Sequence, residues 1–125
     1  SEQDIADIAA FYSQQTVQGS AADPELVAKG ESVYRGGNPE KGMASCTGCH
    51  GPAGKGNAGA AYPALAGQHA GYIEKQLKAF RQGYDEPKAN GSRVNDGESS
   101  IMRDIASRMS DLEIRAVASF IAGLR

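Results

Sequence analysis

The rarest side chains of this 125-residue chain are concentrated in residues 44–51, which read ASCTGCHG. The chain contains two cysteines and two histidines, and Cys46, Cys49 and His50 lie within five consecutive positions. Whatever the fold, it must present two thiols and one imidazole from a single short segment. Few kinds of site use that arrangement, so the cluster limits the fold more than any other feature of the sequence.

Three common uses of a Cys-x-x-Cys pair fit this sequence poorly. Structural zinc would need two further ligands, and of the two candidates, His50 and His69, the first adjoins Cys49 in an awkward geometry. A thioredoxin-like redox pair follows a strand in a βαβ context, which the sequence pattern lacks. A disulfide between Cys46 and Cys49 would close a loop too short to constrain the unfolded chain much. A chance pair of cysteines would leave the adjacent histidine unexplained.

Covalent haem accounts for all three residues of the cluster. In a Cys-x-x-Cys-His segment both thiols form thioethers with the haem vinyl groups, and the histidine binds the iron. The spacer residues Thr47 and Gly48 are small enough to lie against the macrocycle. The chain has 16 glycines, no tryptophan and a hydrophobic fraction of 40%, so an apolar cofactor would complete a thin core. We therefore predict one covalent haem c with its iron per chain, bound through Cys46, Cys49 and His50.

A six-coordinate iron needs a second ligand, for which the sequence offers one further histidine and three methionines. Met43 is too close to the cluster to reach the opposite side of the ring. Met109 and Ile114 flank the cap of the last helix as a hydrophobic staple, which gives Met109 a packing role. His69 suits the start of a helix, although a bis-histidine site remains an alternative. Met102 follows a long polar loop and begins a short helix, so we predict that it is the distal iron ligand.

Apolar residues recur at helical spacing in five segments, and no segment alternates with period two for long enough to be a strand. Asp23 is a candidate N-cap with a proline at the first helical position, and Ser110 with Glu113 forms a capping box. The sequence therefore predicts an all-α fold with glycine-rich loops between the helices. The predicted helices are 1–15, 24–34, 68–82 with Ile73, Leu77 and Phe80 inward, 101–108, and the segment after Ser110 with Ile114, Val117, Ala118 and Ile121 on its apolar face.

Charge and hydropathy disfavour several kinds of partner. Thirteen basic and fifteen acidic residues give a net charge of −2, so nothing points to nucleic acid or to an anionic membrane. No apolar run approaches the roughly 18 residues of a membrane-spanning helix, and no signal-peptide pattern is present. The chain is therefore expected to be either cytoplasmic or a mature, already processed product.

Four stretches resemble a known family: CTGCHGPAGKG, YPALAGQHAGYIEKQLKAF, GSRVNDGESSIMRDIASRMSD and EIRAVASFIAGL. They look like a class I cytochrome c, specifically one haem domain of the di-haem cytochrome c4 type, and the likeness spans residues 23–125. The resemblance implies that His50 is the proximal ligand and Met102 the distal one. It also implies that the Pro63 carbonyl orients the proximal imidazole and that Arg93 lies near the haem propionates. Residues 84–91 form a longer link than the resemblance leads us to expect.

The resemblance also implies a function. Iron with both axial positions filled leaves none for a substrate, so we expect an electron carrier rather than an enzyme. The implied partners are a bc-type complex upstream and a haem-copper terminal oxidase downstream, in the bacterial periplasm and with loose membrane association. Two alternatives remain open: a haem module that serves a specific dehydrogenase or reductase, and a ligand-binding or peroxidatic haem with a labile Met102.

The chain begins with a copy of the helix on which it ends. Without gaps, SEQDIADIAAFY (1–12) matches SDLEIRAVASFI (110–121) at serine, isoleucine, alanine and phenylalanine. We expect residues 1–22 to be the closing helix and linker of a preceding haem domain, and 23–125 to be a complete haem domain of a truncated di-haem protein. The alternative is that any two capped amphipathic helices look alike. The first helix carries an apolar stripe made of Ile5, Ile8, Ala9 and Tyr12. We expect this stripe to dock on the haem domain or to cause self-association through residues 1–15.

Overall fold

The computed structural model describes residues 1–13, with the side chains of 1–8, and residues 23–124. Within these ranges the chain forms six α-helices and two short 3-10 turns, with isolated bridges but no strand, which confirms the all-α prediction. No helix in the described part is both long enough and apolar enough to cross a membrane. The helices are α1 (Glu2–Ser13), α2 (Val27–Gly36), α3 (Thr47–His50), α4 (Ala70–Asp85), α5 (Ile101–Ser107) and α6 (Asp111–Ala122).

The core lies where α6 meets α2 and α4, and α5 packs against α4. The crossing of α2 and α6 is very close, because a Cβ added at Gly30 would lie 2.2 Å from the carbonyl oxygen of Ala116. The inward faces predicted from helical spacing are confirmed as buried. They comprise Ile73, Leu77 and Phe80 on α4, and Ile114, Val117, Ala118 and Ile121 on α6.

Two predicted helix starts were wrong by a few residues. Helix α2 begins at Val27 rather than at residue 24, because Asp23 opens a turn instead: its carbonyl accepts from Leu26 N at 3.0 Å and its carboxylate accepts from Glu25 N at 2.9 Å. Helix α4 begins at Ala70 rather than at residue 68, because the residue before it is extended with ψ 133°. It also continues three residues beyond the predicted end.

The predicted capping box at the start of α6 is confirmed. Ser110 Oγ accepts from Glu113 N at 3.1 Å, and Glu113 Oε1 accepts from Ser110 N at 3.0 Å. The carboxylate of Glu113 is buried and also accepts from Asn38 Nδ2 at 3.1 Å and from Lys41 Nζ. Burial alone would raise the pKa of Glu113, but the hydrogen bonds from Lys41, Ser110 and Asn38 outweigh it and lower the pKa to about 2. Residues 38–41 are thereby tied to the start of α6.

Two loops with the same backbone flank the cysteine–histidine cluster. In residues 37–43 and 56–62 alike, an asparagine exchanges two backbone hydrogen bonds with the fifth residue after it, across a 3-10 turn. The paired residues are Asn38 with Met43 and Asn57 with Tyr62. The residue before the closing one is left-handed in both loops, with φ 67° in the first and 61° at Ala61 in the second.

Helix α1 begins as α6 does but buries none of its described side chains. Ser1 Oγ accepts from Asp4 N at 3.1 Å, as Ser110 does from Glu113. Ile5 and Ile8 are 69% and 58% exposed, whereas their counterparts on α6 are buried. The side chains of the other two stripe residues, Ala9 and Tyr12, lie outside the described parts of the chain. So do residues 14–22, which include the end of the predicted helix and most of the predicted linker.

Candidate functional site

The cluster occupies a single helical turn. Cys46 immediately precedes α3, and His50 ends it, with His50 N donating to Cys46 O at 2.9 Å. Both cysteines are half-buried, and His50 is 6% exposed. The chain leaves the turn at Gly51, whose φ of 85° ends the helix at once. One turn of backbone therefore carries two thiols and an imidazole.

Tyr34 on α2 holds both ends of this turn. Its carbonyl accepts from Cys46 N at 3.0 Å and from Thr47 Oγ1 at 3.1 Å, and its hydroxyl donates to Gly51 O at 2.6 Å. The side chain is fully buried, and its ring lies 5.4 Å from that of Phe120, centroid to centroid. Burial raises the pKa of Tyr34 to about 12, so the phenol remains a donor at any physiological pH. Sequence reasoning missed this residue, whose one local signal is an aromatic side chain in a helix.

The imidazole of His50 is oriented by a carbonyl. His50 Nδ1 lies 2.8 Å from Pro63 O, which is the contact that the family resemblance implies. A hydrogen bond donated from Nδ1 leaves Nε2 as the nitrogen with a free lone pair. The backbone of His50 is held as well, since its carbonyl accepts from Gly56 N at 2.8 Å. The ring is therefore ready to ligate a metal through Nε2.

The four candidates for a second ligand occupy different environments. Met43 and Met109 are each 4% exposed and belong to the packed core. Met102, on the first turn of α5, is half-buried and packs against the edge of the core. His69 is exposed at the position just before α4, as its predicted helix-start role requires. Of the three methionines, Met102 is the one that is only half-buried, so it is the one that the core does not already enclose.

The surroundings of the cluster fit a haem better than the other candidates. Burial raises the pKa of the Cys46 thiol to about 11, the opposite of what a reactive redox cysteine needs. In residues 1–13 and 23–124 no three His, Cys, Asp or Glu side chains come together as a metal site. Cys46 is one of several half-buried side chains that pack against the core, and the others are apolar groups that a large apolar cofactor could cover. They include Leu65, Ala66, Ala70, Met102 and Ile105.

Arg93 is held in place by side chains of α4. Its guanidinium lies over the Phe80 ring, 4.5 Å from the centroid, and donates to Gln76 Oε1 at 2.9 Å and Asn95 Oδ1 at 2.7 Å. The backbone of Arg93 also packs tightly against α4, because a Cβ added at Gly83 would lie 2.4 Å from Arg93 O. The long link at 84–91 begins with the last two residues of α4, so its irregular part is shorter than the sequence suggests.

Comparison with known proteins places this site in a family. The family model for cytochrome c matches residues 27–125. Cytochrome c4 of Azotobacter vinelandii is 51% identical over 124 residues, covering 99% of this chain and 55% of that protein. The crystal structure of reduced cytochrome c4 from Pseudomonas stutzeri has a TM-score of 0.87 at 46% identity, covering 100% of this chain and 62% of that one. A thiosulfate dehydrogenase electron acceptor of Thiomonas intermedia is 36% identical over 121 residues, 94% of this chain and 51% of that protein.

The chain belongs to the cytochrome c family. Within that family it is similar to the cytochrome c4 proteins, which confirms the resemblance seen in the sequence. It spans about half the length of the curated relatives that it matches. The family and the Cys-x-x-Cys-His arrangement of Cys46 and Cys49 together identify the cofactor as covalent haem c with its iron.

Proposed function

We propose that this chain is a one-electron carrier, and not an enzyme, whose haem iron is ligated by His50 and Met102. The contact of His50 Nδ1 with Pro63 O, 2.8 Å long, carries the proposal, because it leaves Nε2 as the nitrogen with the free lone pair that an iron ligand needs. The half-buried position of Met102 at the edge of the core supports the second ligand. Two protein ligands would leave the iron no open position for a substrate.

The residues around the cofactor have separate tasks. Haem supplies reversible exchange of a single electron at its iron. Cys46 and Cys49 tether the macrocycle, while the Pro63 carbonyl keeps His50 in one tautomer and orientation. Met102 supplies a thioether, which raises the reduction potential relative to a second imidazole. The guanidinium of Arg93, already fixed by two hydrogen bonds, is suitably anchored to pair with a propionate.

Replacing Met102 and Met109 one at a time distinguishes the proposed iron ligand from a methionine of the packed core. Met102→Ala should remove the weak red charge-transfer absorption that a thioether ligand gives ferric haem, and should open the iron to carbon monoxide. Met109→Ala should keep that band and lower stability by about 2–5 kcal/mol, because Met109 is a buried packing residue. The reverse result would show that the wrong sulfur has been assigned. Carbon monoxide binding by the wild-type protein would favour a ligand-binding haem with a labile Met102.

For the partners, we propose that electrons pass from a bc-type complex to a haem-copper terminal oxidase in the bacterial periplasm. High-potential ligation by His50 and Met102 suits that direction of flow. A second candidate is favoured by the relative named as an electron acceptor of thiosulfate dehydrogenase: this chain could accept electrons from such a dehydrogenase. Stopped-flow reduction of the ferric protein by each donor, followed by oxidation by each acceptor, compares the two routes. A rate that is fast with the dehydrogenase and negligible with the bc complex would support the second candidate.

We further propose that residues 1–22 are the closing helix and linker of a preceding haem domain. The serine cap shared by α1 and α6, together with the exposed Ile5 and Ile8, supports this origin. Deleting residues 1–16 should then leave haem content and spectrum unchanged and reduce self-association, measured by sedimentation. Loss of haem on deletion would show instead that α1 belongs to the core of this domain.

A further inference from the structure

Helix α5, which carries Met102, lacks the usual hydrogen bond from a backbone N–H of its first turn to the side chain of its N-cap residue. Ser100 stands at the N-cap position with φ 55° and ψ 40°, a left-handed conformation, and its side chain makes no capping hydrogen bond. The helix has seven residues, too few to be stable by its own backbone hydrogen bonds. Something outside the helix must therefore satisfy its first N–H groups and fix its position.

Asp96, four residues before Ser100, supplies the missing acceptor. Its Oδ2 accepts from the backbone N–H of Arg103 at 2.8 Å, in the first turn of α5, and its Oδ1 accepts from Arg103 Nε at 2.9 Å. The side chain of Asp96 is 2% exposed. A buried carboxylate is costly unless it is paired, and here each oxygen has a partner on the same residue.

The stem of Arg103 extends this connection to the adjacent helix. A Cβ added at Gly83 would lie 3.3 Å from Arg103 Cδ, so the arginine passes close to the backbone of α4. The carboxylate of Asp96 thus holds a residue that is itself lodged against α4. Met102 directly precedes Arg103, and the two share the first turn of α5.

We propose that Asp96 is a positioning residue for the iron ligand Met102, and this inference rests on the proposed ligand assignment. By fixing the first turn of α5 through Arg103, Asp96 limits the movement of the adjacent thioether. Its effect is mainly mechanical, because the negative charge of Asp96 is neutralised by the Arg103 guanidinium. Asp96 therefore governs how readily an external ligand displaces Met102.

Titration of the ferric holoprotein with imidazole measures this displacement. Loss of the thioether charge-transfer band reports how much imidazole has bound. Asp96→Ala removes both acceptor oxygens, and Asp96→Glu keeps the charge but shifts it by one methylene. Either variant should bind imidazole roughly five- to tenfold more tightly than the wild type, the factor that corresponds to a lost helix cap. Asp96→Asn can still accept from Arg103 N through its amide oxygen, so it should remain closer to the wild type than either.

Asp104→Ala is the matched control. It removes a carboxylate from the same helix, but one that is exposed and pairs with Arg108 at the surface. It should bind imidazole as the wild type does. If Asp96→Glu and any folded Asp96→Ala protein also match this control, Asp96 has no positioning role. If Asp96→Ala does not fold, the Glu variant decides. A Met102→Ala protein that keeps the charge-transfer band would refute the ligand assignment itself, a result separate from the imidazole affinities.

Discussion

The hydroxyl of Tyr34 offers a direct test of how the haem-binding turn is held. Replacing Tyr34 by Phe keeps the ring, its packing on Phe120 and the backbone carbonyl that accepts from Cys46 and Thr47. It removes one interaction, the 2.6 Å hydrogen bond from the hydroxyl to Gly51 O. The change in stability therefore measures that bond at the point where the chain leaves the turn.

The expected magnitude follows from the burial of the two partners. A net hydrogen bond contributes about 1 kcal/mol, and a buried acceptor left unpaired costs about 1–3 kcal/mol. Gly51 is half-buried, so water can partly replace the lost donor, and the lower part of this range applies. We expect Tyr34→Phe to lower the free energy of unfolding by about 1–2 kcal/mol. For a domain of about 100 residues, each kcal/mol lowers Tm by about 4–8 °C.

Thermal unfolding of the holoprotein, followed by the visible circular dichroism of the haem, is the assay, with Tyr72→Phe as control. Tyr72 is an exposed tyrosine on α4, so the loss of its hydroxyl should not alter Tm. Equal Tm values for the two variants would refute the inference that Tyr34 holds the turn. Such a result would leave only its backbone carbonyl as a contact of consequence.

The pH dependence of stability under alkaline conditions tests the role of the Tyr34 hydroxyl a second time. The pKa of Tyr34 is about 12 in the folded chain and about 10 in an unfolded one. A raised folded-state pKa stabilises the protein fully below pH 10, and this contribution is lost as the pH rises toward 12. The wild type should therefore lose stability across that window, and Tyr34→Phe should not lose this component. The difference in unfolding free energy between the wild type and Tyr34→Phe should therefore shrink as the pH rises from 10 to 12.

Three further predictions concern attachment, acid stability and loop conformation. Replacing Cys46 and Cys49 together by Ala should abolish acid-acetone-resistant haem and leave a largely unfolded chain, because the thin core needs the macrocycle; an intact circular dichroism spectrum without haem would contradict this. Glu113→Gln should lower stability at pH 7 by on the order of 3 kcal/mol. It should also flatten the loss that the wild type shows between about pH 4.5 and 2, where Glu113 takes up a proton in the unfolded chain before it does so in the folded one; acid titration of the unfolding free energy checks both. Ala61→Gly should raise stability by up to about 1 kcal/mol by relieving a left-handed alanine, and Gly42→Ala should lower it by about 1 kcal/mol or more, in matched urea melts.

The parts of this protein that could be predicted from sequence are those that depend on local chemistry. The spacing of Cys46, Cys49 and His50 is itself the site, since one helical turn presents all three. The capping box of Ser110 and Glu113 is equally local, because its two hydrogen bonds join residues three apart. Neither feature requires knowledge of which segments are neighbours in space.

What could not be predicted depends on contacts between distant segments. The dipeptide at 23–24 suits either an N-cap or a turn, and its environment is set elsewhere: Asp23 N donates to Ser119 Oγ at 2.6 Å, 96 residues away in sequence. The hydrogen bond from Tyr34 to Gly51 spans 17 residues. A single sequence shows the residue types in such pairs but not their partners, so it predicts the wrong start for α2 and assigns no contact to Tyr34.

The repeated loops show a third kind of signal, which is present in the sequence but hard to recognise. Residues 37–43 read GNPEKGM and 56–62 read GNAGAAY, so they share only the opening Gly-Asn. In both, a Cβ on that glycine would come within 2.2 or 2.5 Å of the carbonyl oxygen of the closing residue, Met43 or Tyr62. Glycine is therefore required by close approach as well as by its positive φ.

The positions of these loops explain why such backbone surrounds the site. The first loop returns the chain toward the segment that enters α3 at Cys46, and the second ends one residue before Pro63, whose carbonyl meets His50. Each loop thus delivers one side of the binding turn, and each is closed by a pair of its own backbone hydrogen bonds. A glycine-rich chain with few large side chains can therefore still hold an imidazole in a defined orientation, because the rigidity comes from paired backbone groups on both sides of it.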